Sequence, residues 1–204
     1  GDGGFDTLSI EFSEVESLIY TATGPESGSI NADGNVIDFD GLEPITFTGG
    51  SSSSSTTVIV DVDDDPADVT LQVSGSTLQI SGTTLETLST DAGAVSSVTI
   101  NFGNNDDTLT IADTTGFDLS KLTVDFGNGD DTISIDRSSE DIDMTLSSGS
   151  VTVGSEAISL SGVENADLTL SALNTLTIDG WAGDTTLNTN SIDGSLPGTD
   201  VSAT

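Results

Sequence analysis

The chain has 204 residues, with 35 Asp and Glu against 2 Lys and Arg, no His, no Cys and a formal net charge of -33. This balance excludes electrostatic attraction to DNA, RNA or an anionic membrane, each of which needs a basic surface, and it leaves no disulfide to form. The apolar third of the chain alternates too regularly for the disorder that such charge otherwise suggests, and its longest apolar runs are far too short to span a bilayer.

The quoted chain starts inside a turn-strand motif, "GDGGFDTLSI" (Gly1–Ile10), with no initiator Met and no charged-then-apolar leader. The expectation is a mature or excised piece of something longer. "EFSEVESLIY" (Glu11–Tyr20) carries both a helical spacing (Phe12, Val15, Ile19) and an alternation (Val15, Ser17, Ile19), and the alternation predicts a strand. Residues 1–50 form an N-terminal β repeat region. "GGSSSSSTT" (Gly49–Thr57) predicts a flexible surface excursion, its core at 51–57 marking a boundary. Residues 58–204 form the main repeat region, and the whole is expected to be one continuous domain. Within it "TVIVDV", "VTLQV", "SVTINF", "DTLTI", "KLTVDF", "DTISID", "IDMTL", "SVTV", "AISL", "ADLTL" and "LTID" follow period two, with Gly, Asn and Asp between them. The acidic run "VDVDDDPAD" (Val60–Asp68) reads as a solvated loop.

Two motifs recur. "SVTINFGNNDDTLTIADTTGFD" (Ser97–Asp118) aligns with "KLTVDFGNGDDTISIDRSSEDI" (Lys121–Ile142), 24 residues on, and weaker copies stand at Gly3–Ile10 and Leu176–Leu187. "FSEVESL" (Phe12–Leu18), "FDGLEPI" (Phe39–Ile45) and "LSGVENA" (Leu160–Ala166) share an apolar residue, a short turn and then Val or Leu followed by Glu16, Glu43 or Glu164. Interleaved motifs at this spacing predict an all-β parallel β-solenoid with coils of roughly 24 residues, stacked about 4.8 Å apart, with Phe102 over Phe126. An antiparallel β-sandwich is the alternative.

Stacked coils bring Asp106 and Asp107 close to Asp130 and Asp131. Four carboxylates repel unless neutralised, and Lys121 and Arg137 are the only basic side chains. A hard divalent cation held by carboxylate and backbone oxygens is one solution; a simple Gly-Asn-Asp turn without an ion is the other. "FGNGDDTIS" (Phe126–Ser134) and "FGNNDDTLT" (Phe102–Thr110) resemble the RTX-type calcium-binding nonapeptide, in which turns of this composition clamp Ca2+. The resemblance implies Asp107 and Asp131 as side-chain ligands, with Asp106 and Asp130 beside them and turn groups at Gly103, Asn105, Asn128 and Gly129 completing the shell. It departs from the family in having Phe126 in place of the first Gly and Asn105 in place of the third, and above all in spacing, since RTX motifs are contiguous and these copies lie a coil apart.

"FDGLEPITF" (Phe39–Phe47) together with "GNGDDTI" (Gly127–Ile133) resembles the giant bacterial cell-surface repeat adhesins. That resemblance implies an extracellular, cell-surface location and a calcium-stabilised structural or adhesive segment of a fibre or layer. Its partners would be copies of itself or neighbouring repeats, able to join end to end through Thr7–Phe12 and the Leu176–Leu187 region, and surface glycans; neither nucleic acid nor membrane insertion is expected. A carbohydrate-binding module is the second reading, and the only Trp and Tyr, Trp181 and Tyr20, are its sole aromatic candidates beyond Phe. Trp181 reads better as a plug over a coil edge, and Tyr20 as packed. A β-helical polysaccharide-degrading enzyme is the third reading: no catalytic residues stand out, and the acidic field would repel polyuronates.

Overall fold

A computed structural model describes residues 7–12, 15–41, 44–49, 56–62, 65–181, 183–189 and 201–203. Strand β1 (Leu8–Phe12) precedes β2 (Ser17–Gly24), β3 (Ser27–Ala32), β4 (Asn35–Asp40) and β5 (Ile45–Gly49). A second group comprises β6 (Thr56–Asp61), β7 (Asp68–Ser74), β8 (Thr77–Gly82) and β9 (Leu88–Asp91). Short strands β10 (Val95–Asn101), β11 (Thr108–Ile111) and β12 (Leu122–Asp125) lead to the long β13 (Thr132–Ser147). Then come β14 (Ser150–Val153), β15 (Glu156–Ser161), the long β16 (Asn165–Asp179), β17 (Asp184–Thr189) and β18 (Val201–Ala203). The only helical elements among the described residues are two single 3-10 turns, Ala92–Ala94 and Leu119–Lys121, and none could cross a membrane.

The fold is therefore all-β, and its sheets are mixed. Each antiparallel strand pair joins chain neighbours: β2–β3–β4, β7–β8–β9 and β13–β14–β15. Strands further apart pair in parallel, and so do the consecutive strands β16, β17 and β18. One such column is β2–β6–β10–β12–β15; another is β7–β11–β13–β16–β17–β18; a short third is β1–β5–β9. Mixed pairing of this kind is also compatible with the sandwich that alternation alone allowed.

Period-two sequence explains the burial. In β2, Leu18, Tyr20 and Ala22 point inward between half-exposed Ser17, Ile19 and Thr21, and β7 and β11 repeat the alternation with Val69, Leu71, Val73, Leu109 and Ile111 inward. Parallel register then places like on like: Leu18 beside Val58 beside Val98 beside Leu122, and Val69 beside Leu109 beside Ile133 beside Ala166. All belong to a single hydrophobic core. Phe102 and Phe126 lie within it as a stacked pair, centroids 5.0 Å apart and planes 4° from parallel, as the repeat predicts.

Several expectations need correction. The spacing of 24 residues holds for one step only, β10 to β12 and β11 to β13. At the C-terminal end the steps shorten to 19 residues (Asn165 to Asp184) and 16 (Thr185 to Val201), and elsewhere they include 33 (Thr132 to Asn165) and 43 (Ile45 to Leu88). Antiparallel hairpins inserted between parallel strands lengthen the longer steps. "DTISID" and "IDMTL" run together as β13, and Glu11–Tyr20 divides between β1 and β2. The segment at 51–57 falls mostly outside the described residues, and the strands on either side of it pair directly, β2 with β6 and β5 with β9. In the region expected to join end to end, Leu176–Leu187, β17 pairs with β16 on one side and β18 on the other, and Leu176 pairs with Met144 of β13. Among the described residues β1 pairs only with β5.

Phe126 is fully buried, and truncating it leaves Phe102 facing a void. Phe126→Ala is expected to cost about 3–5 kcal/mol in denaturant unfolding. A loss below about 1 kcal/mol would show that the ring does not sit in a packed core.

Candidate functional site

The repeated turns sit where β10 passes to β11 and β12 passes to β13. Parallel register carries the second turn directly over the first, and backbone bonds tie them: Asn128 N–H donates to Gly103 O at 3.2 Å, and Thr132 N–H to Asp107 O at 2.8 Å. The glycines make this approach possible. Gly127 has φ +81, and a β-carbon there would collide with the Gly103 carbonyl oxygen; one at Gly129 would collide with the Asn105 carbonyl oxygen. Gly103, Asn105 and Gly129 thus serve close stacking, their backbones facing the neighbouring turn.

The buried aspartates form an inner ladder. Ala67 N–H donates to Asp107 Oδ1 at 2.8 Å, Asp107 N–H donates to Asp131 Oδ1 at 2.7 Å, and Asp131 N–H donates to Glu164 Oε2 at 3.0 Å. Each carboxylate accepts the amide of the preceding step. Asp107 is 2 % exposed and Asp131 0 %. Glu164 belongs to the second sequence motif, so the two motifs meet in one structure. The exposed partners form an outer ladder of opposite sense: Asp130 N–H donates to Asp106 Oδ1 at 2.9 Å, and Asn165 Nδ2 to Asp130 Oδ1 at 2.7 Å. Asn128 Nδ2 donates to Asn104 Oδ1 at 2.9 Å on the same face.

Asp131 is the most constrained of these groups. Its Oδ2 is buried and accepts no hydrogen bond. Burial pushes its pKa up to about 6; the Asp107 amide opposes this, and the charges of Asp107, Glu164 and Asp106 add to it. Lys121 does not relieve the cluster, because its Nζ donates to Val95 O at 2.8 Å and lies over the Phe117 ring.

The structure thus brings together all eight residues named from sequence, in stacked turns rather than around a point. Both Oδ1 atoms of the buried pair face protein N–H groups. Among the described residues no group of three or more Asp or Glu is arranged to hold a metal. The Oδ1 atoms of Asp107 and Asp131 satisfy backbone amides, which is what the turn reading requires of them.

Sequence reasoning missed the roles of two glutamates, one in the ladder and one apart from it. Glu164 was visible as a motif residue, but nothing in the motif showed that it caps the aspartate ladder. Glu86, 8 % exposed, stands in "TLETL" (Thr84–Leu88), which shares Leu-Glu with "GLEPI" and could have been found by that match. Its amide donates to Tyr20 Oη at 2.8 Å, and Tyr20 is fully buried, its hydroxyl pKa raised mainly by desolvation. Trp181 is half-buried and packs against the core, as a plug would, and its Nε1 is buried with no hydrogen-bond partner. It borders a cleft of about 300 Å³ with Ser148, Ser161, Glu164 and several glycines. No family model, curated protein or solved structure matches this chain.

The sign of the pH effect follows from Asp131. Its native pKa lies above the roughly 3.9 of a free Asp, so between about pH 4 and 6 the native state holds a proton that the unfolded chain has released. Stability contributed by this group falls as pH rises through that window. Asp131→Asn keeps an oxygen acceptor and removes the charge. It is expected to melt at or above the wild-type temperature near pH 7.5, with the difference shrinking toward about pH 5. Asp131→Ala leaves the Asp107 amide without its acceptor and is expected to cost about 1–3 kcal/mol. Calorimetry of the three proteins in EDTA measures both; an Asn variant as damaged as the Ala variant would contradict the ladder.

Proposed function

We propose that this chain is a non-enzymatic structural or adhesive segment of an extracellular surface fibre or layer, built as a parallel β-solenoid whose coils vary in length. The inner ladder is the observation that supports this reading best. The most distinctive repeated side chains are used to join one coil to the next rather than to face a substrate. Parallel register across long chain separations also supports it, since stacked coils extend a chain along one axis. Partners in this reading are copies of the chain or neighbouring repeats. Calcium enters as a counter-ion to the acidic face bearing Asp106 and Asp130, not as a clamped ion. A charge of -33 opposes both compaction and association, and divalent cations reduce that opposition.

The cleft beside Trp181 favours the second reading, a glycan-binding module, because an indole flanked by hydroxyls and a carboxylate suits a sugar face. The two readings separate on one variant. Trp181→Ala abolishes binding on a glycan array if the cleft takes sugar, and only lowers stability if Trp181 is a plug.

Antibody raised against the chain is expected to label intact cells that make it, as a fibre or continuous layer; labelling that requires permeabilisation would overturn the surface assignment. In melting experiments at matched ionic strength, calcium and magnesium are expected to raise the transition alike and by a small amount. Calcium-specific stabilisation approaching 3 kcal/mol at about a hundredfold excess over its dissociation constant would restore the clamped site.

A further inference from the structure

Among the described residues, strand β4 has one open edge, since it pairs only with β3. Gly41, immediately after it, donates its N–H to Glu26 O on the β3 side. Backbone direction alternates along a strand, so Asn35, Ile37 and Phe39 also face β3, and Val36, Asp38 and Asp40 turn their N–H and C=O groups outward. Val36 is 59 % and Ile37 39 % exposed, the two large apolar side chains left exposed among the described residues. They project to opposite faces. Ile37 lies beside fully buried Ile30, so the apolar face of the sheet runs out to β4 and stops uncovered.

The edge is also held in place. Asp33 and Gly34 form a two-residue hairpin turn with φ of 49° and 87°. The Asp33 carboxylate accepts the Ser17 amide at 2.9 Å and the Glu16 amide at 3.2 Å, pinning the hairpin tip to the start of β2. Natural proteins blunt such edges with charged side chains, Pro or a bulge; β4 has no Pro or bulge, and its charges, Asp38 and Asp40, are acidic, so they deter an acidic strand and admit a basic one.

We propose that β4 is a docking site for an extended, basic, alternating segment of another protein, which adds to the sheet as the next strand. Backbone groups of Val36, Asp38 and Asp40 supply the hydrogen bonds. On one face an apolar residue of the segment covers Ile37. On the other, Lys or Arg lays its aliphatic stem over Val36 and reaches exposed Asp38 and Asp40 with its charge. Glu26 and Asp33, both exposed, extend the acidic rim. A second copy of this chain is the poorer occupant. It would set Asp38 and Asp40 against their own counterparts, with -33 on each partner.

The probes are a short peptide of alternating Val and Lys, its Val–Glu counterpart, and a peptide of the same Val and Lys in two blocks. Amide exchange followed by NMR reports the contact. The alternating basic peptide is expected to protect the Val36, Asp38 and Asp40 amides and to bind about tenfold or more tighter than the block peptide. Asp38→Pro removes an outward N–H that β3 does not use, so it is expected to weaken binding at least about tenfold without lowering the melting temperature. If that variant does not fold, the double variant Asp38→Lys, Asp40→Lys retains the backbone and is expected to reverse the preference toward the Val–Glu peptide. Equal binding of alternating and block peptides, or protection elsewhere on the chain, means diffuse charge attraction and overturns the proposal. Protection of β4 that rises with the concentration of the chain alone assigns the edge to a second copy and overturns it equally.

Discussion

Buried amides that face the next layer of chain must find an acceptor, and here the acceptors are carboxylates. An unsatisfied buried amide costs about 1–3 kcal/mol, and a charged acceptor makes a stronger bond than a neutral one. Asp107, Asp131 and Glu164 meet that need for Ala67, Asp107 and Asp131 in turn. The arrangement stacks like charges inside a protein that is already acidic. Amide dipoles hold the carboxylates in part, and the raised pKa of Asp131 comes from burial first and from its neighbours' charges second. Close approach is the geometric condition. Glycine at 127 and 129 lets one turn settle onto the carbonyls of the turn beneath.

Once turns are locked in this way, the strands between them are fixed in register and their inward residues fall into columns. The hairpins are then free to differ. β3 with β4, β8, and β14 are local antiparallel additions that change the spacing from one step to the next without disturbing the parallel columns. The long strands β13 and β16 keep parallel partnership through both of their halves. Variation in length is thus carried by hairpins, and constancy by the turns.

Much of this was legible in the sequence, for identifiable reasons. Alternation named the strands because side-chain direction has a period of two. The paired "FGNNDD" and "FGNGDD" named the stacked phenylalanines and aspartates because identical turns at fixed spacing superpose. The hairpins escaped because a local antiparallel pair and a parallel step look alike in a single chain: both are alternating runs separated by Gly and Asp. The hydrogen bonds of the double aspartates were not legible, because sequence shows which carboxylates gather but not which amides face them. Glu164 escaped because its motif differs from the aspartate motif whose ladder it completes. The exposed Val36–Ile37 pair had a signal, since two adjacent apolar residues break the alternation, and a break at a strand edge is where a sheet stops being covered.

The inner ladder also has a direction in time. Each amide is accepted by a carboxylate that lies later in the chain: Ala67 by Asp107, Asp107 by Asp131, Asp131 by Glu164. A ribosome or an export channel delivering the N-terminus first produces every donor before its acceptor. The newest layer therefore waits, its amides still in water, until the following one emerges, and closure trails synthesis by 24 to 40 residues in this region. Such a chain is delivered open and sealed from behind.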